Sequence, residues 1–470
     1  VRRVLVWHPG LTLGLLAAAC ASYTPAPVRP DSQLEPFNRR RLDDPGLLAW
    51  LDSSGGGRPD SAWTARQLAL AATWFRPERA RRAAEVRAAD ARMRSAGARP
   101  GPGLSTDLEY AFSDPQSSSR WGVALAALFT VELGGKRGAR IARARAQAMA
   151  VRAAAAEDEW ELASRSYVAA FAWAHADRAL ALAREERAAL DTLVGLSLAR
   201  YREGSIGRLE LARVQTEAGV AAMAEAAAER AVAVARAELA AATGVPVDAL
   251  GGARVSVPVL PGCAGADTMS RLSLQQEALG ARWALRRAAA EYQAAEGDLR
   301  VEVANASPDL TLGPGMFFDQ GTGKFTLASA VPSIPLGRNR GPIAEAEARR
   351  AAAGAHLAEV QEQVLAELES GLAACGAGGR SFQTVDSLAR TVAERVRLAR
   401  AAYDRGETGR LDVAVAELEL RRVRRQRMEL EAELAGAGLA LERSRGAWGL
   451  RADGPWPAAV PWWPLNTGEE

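Results

Sequence analysis

The string YREGSIGRLELA, from Tyr201 to Ala212, returns as YDRGETGRLDVA from Tyr403 to Ala414, about 202 residues further on. Each copy is preceded by a long Ala/Arg/Glu-rich segment and followed by another. A second pair keeps nearly the same offset: ELGGKRGARIARARA from Glu132 and PLGRNRGPIAEAEAR from Pro335. Two unrelated motifs repeated at one spacing mark a tandem duplication. The length alone would allow two or three ordinary domains, but the duplication demands a unit that holds two copies of one long element.

Charge and chemistry exclude several classes. Lys+Arg 59 nearly balance Asp+Glu 56, and the basic residues are interleaved with acidic ones along helical faces rather than gathered in a block. No nucleic-acid footprint results. The three histidines, His8, His175 and His356, stand apart from one another in no ligand-like spacing, so neither a metal site nor an enzyme is expected. No cofactor is implied.

The N-terminal stretch reads as an address. Arg2 and Arg3 precede an apolar run from Leu11 to Ala19, the pattern of a secretory signal. Leu16-Ala17-Ala18-Ala19-Cys20 resembles the lipobox of a bacterial lipoprotein, with Leu16 one place earlier than usual. Lipidation of Cys20 is one expectation, ordinary signal cleavage nearby the other. With Cys20 acylated, Ala21 in place of Asp fits outer-membrane sorting, and the Pro-rich YTPAPVRPDS that follows serves as an extended tether. Cys263 and Cys375 are the remaining cysteines. An oxidising periplasm allows them to pair, and the sequence leaves that open.

Past the signal no apolar run reaches the roughly 20 residues of a membrane helix, so any membrane crossing must use strands. Leu104, Thr106, Leu108, Tyr110 and Phe112 alternate with polar or small residues, and after DPQSSSR the alternation resumes from Trp121 to Leu133. The second repeat offers Leu310, Leu312, Met316 and Phe318, a DQGTGK turn, then Phe325, Leu327, Ser329 and Val331. This period of two predicts one strand hairpin per repeat, with strands near the 9–11 residues that cross a bilayer. Four strands cannot close a barrel alone. Either they form a soluble sheet, or several chains share one barrel.

Between the hairpins the pattern is helical. From about Arg140 to Arg202 there is no Pro and little Gly, which predicts a helix on the order of 90 Å long. Ile343 to Arg405 matches it, with an interruption expected at GLAACGAGG, Gly371 to Gly379. Return helices are expected from Leu209 to Thr243 and from Leu411 to Trp448. Helices of that length must pack laterally, as a coiled coil or a bundle, each with its return helix as an antiparallel hairpin.

With these elements placed, the chain resembles the outer-membrane factors, the TolC-like channels of efflux and secretion systems. The resemblance rests on the two YxxGxxGRL turns, on LGGKRG and LGRNRG at the strand-to-helix junctions, on the opening helix WTARQLALAATWFRPERARRAAEVRAADARMRSAGA and on SPDLTL from Ser307. The wording ELGGKRGARIA is especially similar to members that serve heavy-metal cation pumps. The resemblance implies a mixed α/β membrane protein. Two repeats, each a β-hairpin plus long helices, would form a homotrimer with a 12-stranded outer-membrane β-barrel and a periplasmic α-helical barrel. It implies these boundaries: a signal peptide 1–19; a tether 20–60; repeat one 61–243, with its hairpin near 104–133 and its tip near 201–210; an equatorial segment 244–279; repeat two 280–450, with its hairpin near 308–336 and its tip near 403–412; and a tail 451–470. The partners implied are a periplasmic adaptor, an inner-membrane pump and outer-membrane lipid.

In such a channel the turns are the adaptor-contacting tips at the closed periplasmic end: Gly204, Ser205, Ile206 and Gly207 in one copy, Gly406, Glu407, Thr408 and Gly409 in the other. The four glycines are expected to permit tight reversal. Glu210 and Asp412 each fall six residues after the first glycine of a turn, and the family places an acid at the second position in the narrowest part of the pore. Threefold repetition would make a cation-attracting ring. Glu210 equally suits a solvated first helical turn. Val415 stands where the family has a further acid. Arg208 and Arg410 are candidates for the ion pairs that hold the tip shut. Two alternatives remain, a periplasmic adaptor lipoprotein and a structural coiled-coil lipoprotein. An adaptor has one helical hairpin rather than two, and the period-two segments disfavour a pure coiled coil.

Overall fold

A computed structural model describes residues 23–27, 29–113, 119–256, 263, 270–319, 322–331 and 339–446. Its helices are α1 (Leu34–Asn38), α2 (Pro45–Ser53), α3 (Ala65–Phe75), α4 (Pro77–Ala96), α5 (Lys136–Arg202), α6 (Arg208–Thr243), α7 (Arg271–Ala281), α8 (Trp283–Asn305), α9 (Arg340–Asp404) and α10 (Arg410–Ser444). The strands are β1 (Trp63–Thr64), β2 (Gly103–Tyr110), β3 (Trp121–Val131), β4 (Val255–Ser256), β5 (Leu310–Asp319) and β6 (Thr322–Ala330). The order α4-β2-β3-α5-α6 recurs as α8-β5-β6-α9-α10, so the duplicated sequence is a duplicated structure.

The two hairpins merge into one antiparallel sheet of order β2-β3-β5-β6, while β1 and β4 form a separate parallel pair. Register puts the apolar alternates on one face: Leu108 opposes Val123, Val123 opposes Phe318, Leu125 opposes Met316, and Met316 opposes Phe325. That face is bare, with Leu104 and Leu108 each 71% exposed, Met316 70% and Phe325 76%. Roughly a dozen large side chains share it, and an apolar phase covering them would recover on the order of 20 kcal/mol. Water recovers none of this. The opposite face is mostly small and polar, with Asp107 against Ala124, Glu109 against Gly122 and Ala126 against Gly315, and with Leu128 and Phe317 as its large apolar members. A Cβ on Gly313 would lie 2.7 Å from the Ala127 carbonyl oxygen, so only glycine allows β5 to press this closely on β3. Pro314 has no N–H to donate, and the ladder between β3 and β5 skips it before resuming at Phe129 and Leu312.

Below the sheet the chain forms a wall four helices wide. Near the sheet the neighbours run α4-α5-α8-α9, and farther away α6-α5-α10-α9. At 67 and 65 residues, α5 and α9 are each about 100 Å long and span both levels. They start earlier than the sequence suggested, because left-handed residues precede them: Gly134 and Gly135 at φ 68 and 73, and Asn339 at φ 56. Asn tolerates that conformation better than most side chains, and the Asn339 Nδ2 donates to the Glu302 carbonyl oxygen at 2.8 Å.

The interruption expected at Gly371–Gly379 does not occur; α9 runs through it. A Cβ on Gly371 would sit 3.2 Å from Leu441 Cα, and one on Gly378 3.2 Å from Leu434 Cδ1. These glycines let α9 and α10 approach closely, which offsets their cost of about 1 kcal/mol each in a helix. Cys375 lies in the same stretch, 5.3 Å from Cys263 between Cα atoms, and the two form a disulfide.

A second duplicated device joins the two levels of the wall. Arg76 kinks the chain between α3 and α4, and Arg282 does the same between α7 and α8, both with extended backbone. Arg76 donates to the Ala241 carbonyl oxygen near the end of α6, and Arg282 to that of Arg443 near the end of α10. Each guanidinium meets the negative end of its own repeat's return helix. Arg282 also pairs with Glu367 at 2.7 Å and stacks on Trp160. The main apolar core lies at this level, where Leu47, Leu51, Leu68, Tyr167, Leu239 and Leu250 pack between α2, α3, α5 and α6.

Candidate functional site

The helical tips carry most of the sequence-derived candidates. Gly204 follows α5 at φ 71, and the Ser205 N–H donates to the Arg200 carbonyl oxygen at 2.9 Å. Gly406 follows α9 at φ 76, and the Glu407 N–H donates to Ala402 at 2.9 Å. Both are left-handed helix stops of the Schellman type. Gly207 and Gly409 behave differently from expectation. Their φ values are −83 and −86, ordinary extended backbone, so they serve as N-caps of α6 and α10 and not as reversal points.

The two acids also diverge. Asp412 Oδ2 accepts from the Gly409 N–H at 3.0 Å, half of a capping box. Glu210 is exposed and has no side-chain partner among the described residues. Glu407 pairs with Arg405 at 2.7 Å, which holds its carboxyl below the usual range. The Thr408 hydroxyl is buried without a hydrogen-bond partner. Arg208 and Arg410 find no carboxylate within their own chain among the described residues.

The structure brings the two tips together. An Nη of Arg200, from the first tip, lies 3.2 Å from where a Gly409 side chain would begin. Just above, Leu190, Leu193, Ala221 and Leu418 form a small core joining α5, α6 and α10. Sequence reasoning missed the polar latch over that core. Arg422 of α10 reaches Glu186 at 3.2 Å and Glu217 at 3.0 Å, and Arg425 reaches Glu186 at 3.1 Å. The hydrogen bond from Arg422 holds the Glu217 carboxyl below its ordinary value. The only advance signal was the three-residue spacing of Arg422 and Arg425, which puts both on one helix face.

Against known proteins, the model of the outer membrane efflux protein family matches residues 75–245 and 274–447, both repeats and well over half of the chain. The chain belongs to the outer membrane efflux protein family. Among solved structures it is similar to the outer membrane protein VceC of Vibrio cholerae, at 21% identity and TM-score 0.64, covering 81% of this chain and 96% of that one. The outer-membrane channel OprN is similar at 16% identity and TM-score 0.65, covering 91% and 98%. The MtrE outer membrane channel of Neisseria gonorrhoeae follows at 19% identity and TM-score 0.62, covering 83% and 90%. At these identities the likeness speaks for the fold. No curated protein matches the chain.

Membership makes this efflux family protein an outer-membrane channel, a passive conduit rather than an enzyme. It sets aside the adaptor and the structural coiled-coil alternatives. No helix among the described residues is long and apolar enough to cross a membrane, so the bare face of the sheet is the surface suited to lipid. Cys20, the candidate lipidation site, lies outside the described residues, as do parts of both hairpin turns and half of the LGRNRG junction.

Proposed function

We infer that this efflux family protein works as a homotrimer, the exit duct of a tripartite system that takes substrate from an inner-membrane pump and its periplasmic adaptor. One observation carries the reading: a four-stranded sheet with a bare apolar face and two unpaired edges, β2 and β6. Unpaired edges are intolerable in lipid, so β6 of one copy pairs with β2 of the next, and three copies supply twelve strands. The helical wall supports the same closure. Its open flanks are α4 and α6 on one side and α9 on the other, in line with β2 and β6, so sheet and helices close together into barrel and tunnel.

The tips then surround the periplasmic opening. Glu210 and Asp412 supply carboxylates near it, and Arg208 and Arg410 are free to pair between copies. The residues 204–207 and 406–409 face the adaptor. Acylation at Cys20 would add an anchor in the outer membrane. The pump selects the cargo, and the wording at Glu132–Ala142 makes heavy-metal cations the first cargo to test. Detergent-extracted protein should run as a trimer that heat converts to monomer. A monomer before heating would contradict the closure.

A further inference from the structure

Near the sheet the open flanks of the wall are the sides of α4 and α9 that no helix of the same chain covers. On α4, Arg82, Ala89 and Asp90 face α5, through the Arg82–Asp158 and Asp90–Arg152 pairs and the burial of Ala89. The opposite side carries exposed Ala84, Ala88, Ala91 and Ser95, edged by Arg94 and by Arg87, which also lines the groove between α4 and α5. On α9 the side away from α8 carries exposed Ala344, Ala348, Ala351, Ala355 and Ala358, flanked by Glu347 and Glu359. Small side chains on both flanks permit close helix approach, and the charges beside them are opposite.

The charges are also unspent. Every carboxylate of α4 is paired within the chain, Glu78 with Arg76, Glu85 with Arg81 and Arg82, and Asp90 with Arg152. Among the described residues, Arg87, Arg92 and Arg94 have no carboxylate. On α9 between residues 340 and 370 the balance is reversed. Arg349 and Arg350 are taken by Glu345 and Glu296, and Arg340 in the first turn has no carboxylate among the described residues. Among the described residues Glu347 and Glu362 have no cation, and Glu359 has only His356 at 3.4 Å.

Heights agree across the wall. The Arg82–Asp158 and Arg287–Glu157 pairs put Arg82 and Arg287 at one level. Five residues beyond Arg287, Tyr292 packs on Gly354. Because α8 and α9 are antiparallel, Glu359, five residues beyond Gly354, returns to the level of Arg82. Arg94 lies twelve residues toward the sheet from Arg82, and Glu347 twelve toward the sheet from Glu359. Arg94 and Glu347 are therefore level, and Arg87 stands about 7 Å above Glu359, within the combined reach of the two side chains.

We propose that α4 of each copy packs against α9 of the next, with Arg94 paired to Glu347 and Arg87 to Glu359, an arginine clasp that fixes the relative height of neighbouring subunits below the barrel. This rests on the ring closure inferred above and assigns its upper helical contact. A closed ring has no rise between copies, so where the helices run close to the ring axis residues level within one chain meet level across the interface. The clasp sets register for strand pairing, because a shift in height would break both pairs and misalign β6 against β2.

The test uses full-length protein in detergent at low ionic strength. Arg87→Glu with Arg94→Glu should raise the trimer dissociation rate by about tenfold or more, and Glu347→Arg with Glu359→Arg should do the same. The four changes together should restore the wild-type rate, which a general folding defect would not. Raising salt should narrow the gap between wild type and either double variant. Failure of the fourfold variant to recover, or an unchanged rate in either double variant, would overturn the clasp while leaving the ring intact. A wild type that is never trimeric would instead remove the ring and the clasp with it.

Discussion

Asp412 shows how one carboxylate can hold a helix and, in the pore proposed above, keep its charge for the opening. Its Oδ2 caps α10 through the Gly409 N–H, and its other oxygen is left for the opening. Asp412→Asn keeps an acceptor for the cap and removes the charge, whereas Asp412→Ala removes both, at about 1 kcal/mol of local helix stability. Block by multivalent cations should weaken in both variants, and helix content should fall only in the second. Unchanged block would take Asp412 out of the gate. Arg422 acts at the same scale. It depresses the Glu217 carboxyl, so the pair's contribution is complete above the ordinary Glu range and is lost as pH falls through the lowered value. The Arg422–Glu217 arm of the latch should therefore hold at neutral pH and release only in acid below the ordinary Glu range. In conductance recordings across pH, Arg422→Ala should show at neutral pH the opening that wild type reaches only in acid. A variant with the wild-type profile would show that the latch does not hold the tip.

At the scale of elements, what the sequence revealed depended on the range of the interaction. Strand alternation and the αL glycines of the tips are local, and β2, β3, β5, β6 and both tips fall where the pattern put them. Lys136 and Arg340 open their helices a few residues before the expected starts, because Gly135 and Asn339 stop the preceding turn in a conformation that composition does not display. Gly371 and Gly378 misled for a long-range reason. Glycine in a helix reads locally as a break, and its purpose here is set by Leu441 and Leu434 across the interface. The arginine joints were likewise invisible, since Arg76 and Arg282 become meaningful only once the ends of α6 and α10 return beside them. Gly371→Leu should force α9 away from α10 at a cost of about 1–3 kcal/mol and lower the thermal midpoint, whereas a midpoint equal to wild type would mean that the approach is not tight. Of the candidate site, the tip residues were legible from the repeat, but the contact of Arg200 with the second tip and the Arg422 latch join elements more than 200 residues apart.

For the whole molecule, the decisive property is an open wall whose two flanks differ. A face that pairs with a different face of the next copy forms a head-to-tail contact, which closes into a ring if the rotation per copy is right. Here the β2/α4/α6 flank and the β6/α9 flank run the full height of the chain, so closure of the proposed trimer would make barrel and tunnel in one step. In that trimer the bare apolar face of the sheet would meet lipid, and the mostly small and polar face would line the passage. The most direct measurement is conductance of the purified protein in a planar lipid bilayer. Stepwise ion currents should appear, carried by a species that heating to monomer abolishes. A soluble monomer that adds no conductance would contradict the channel.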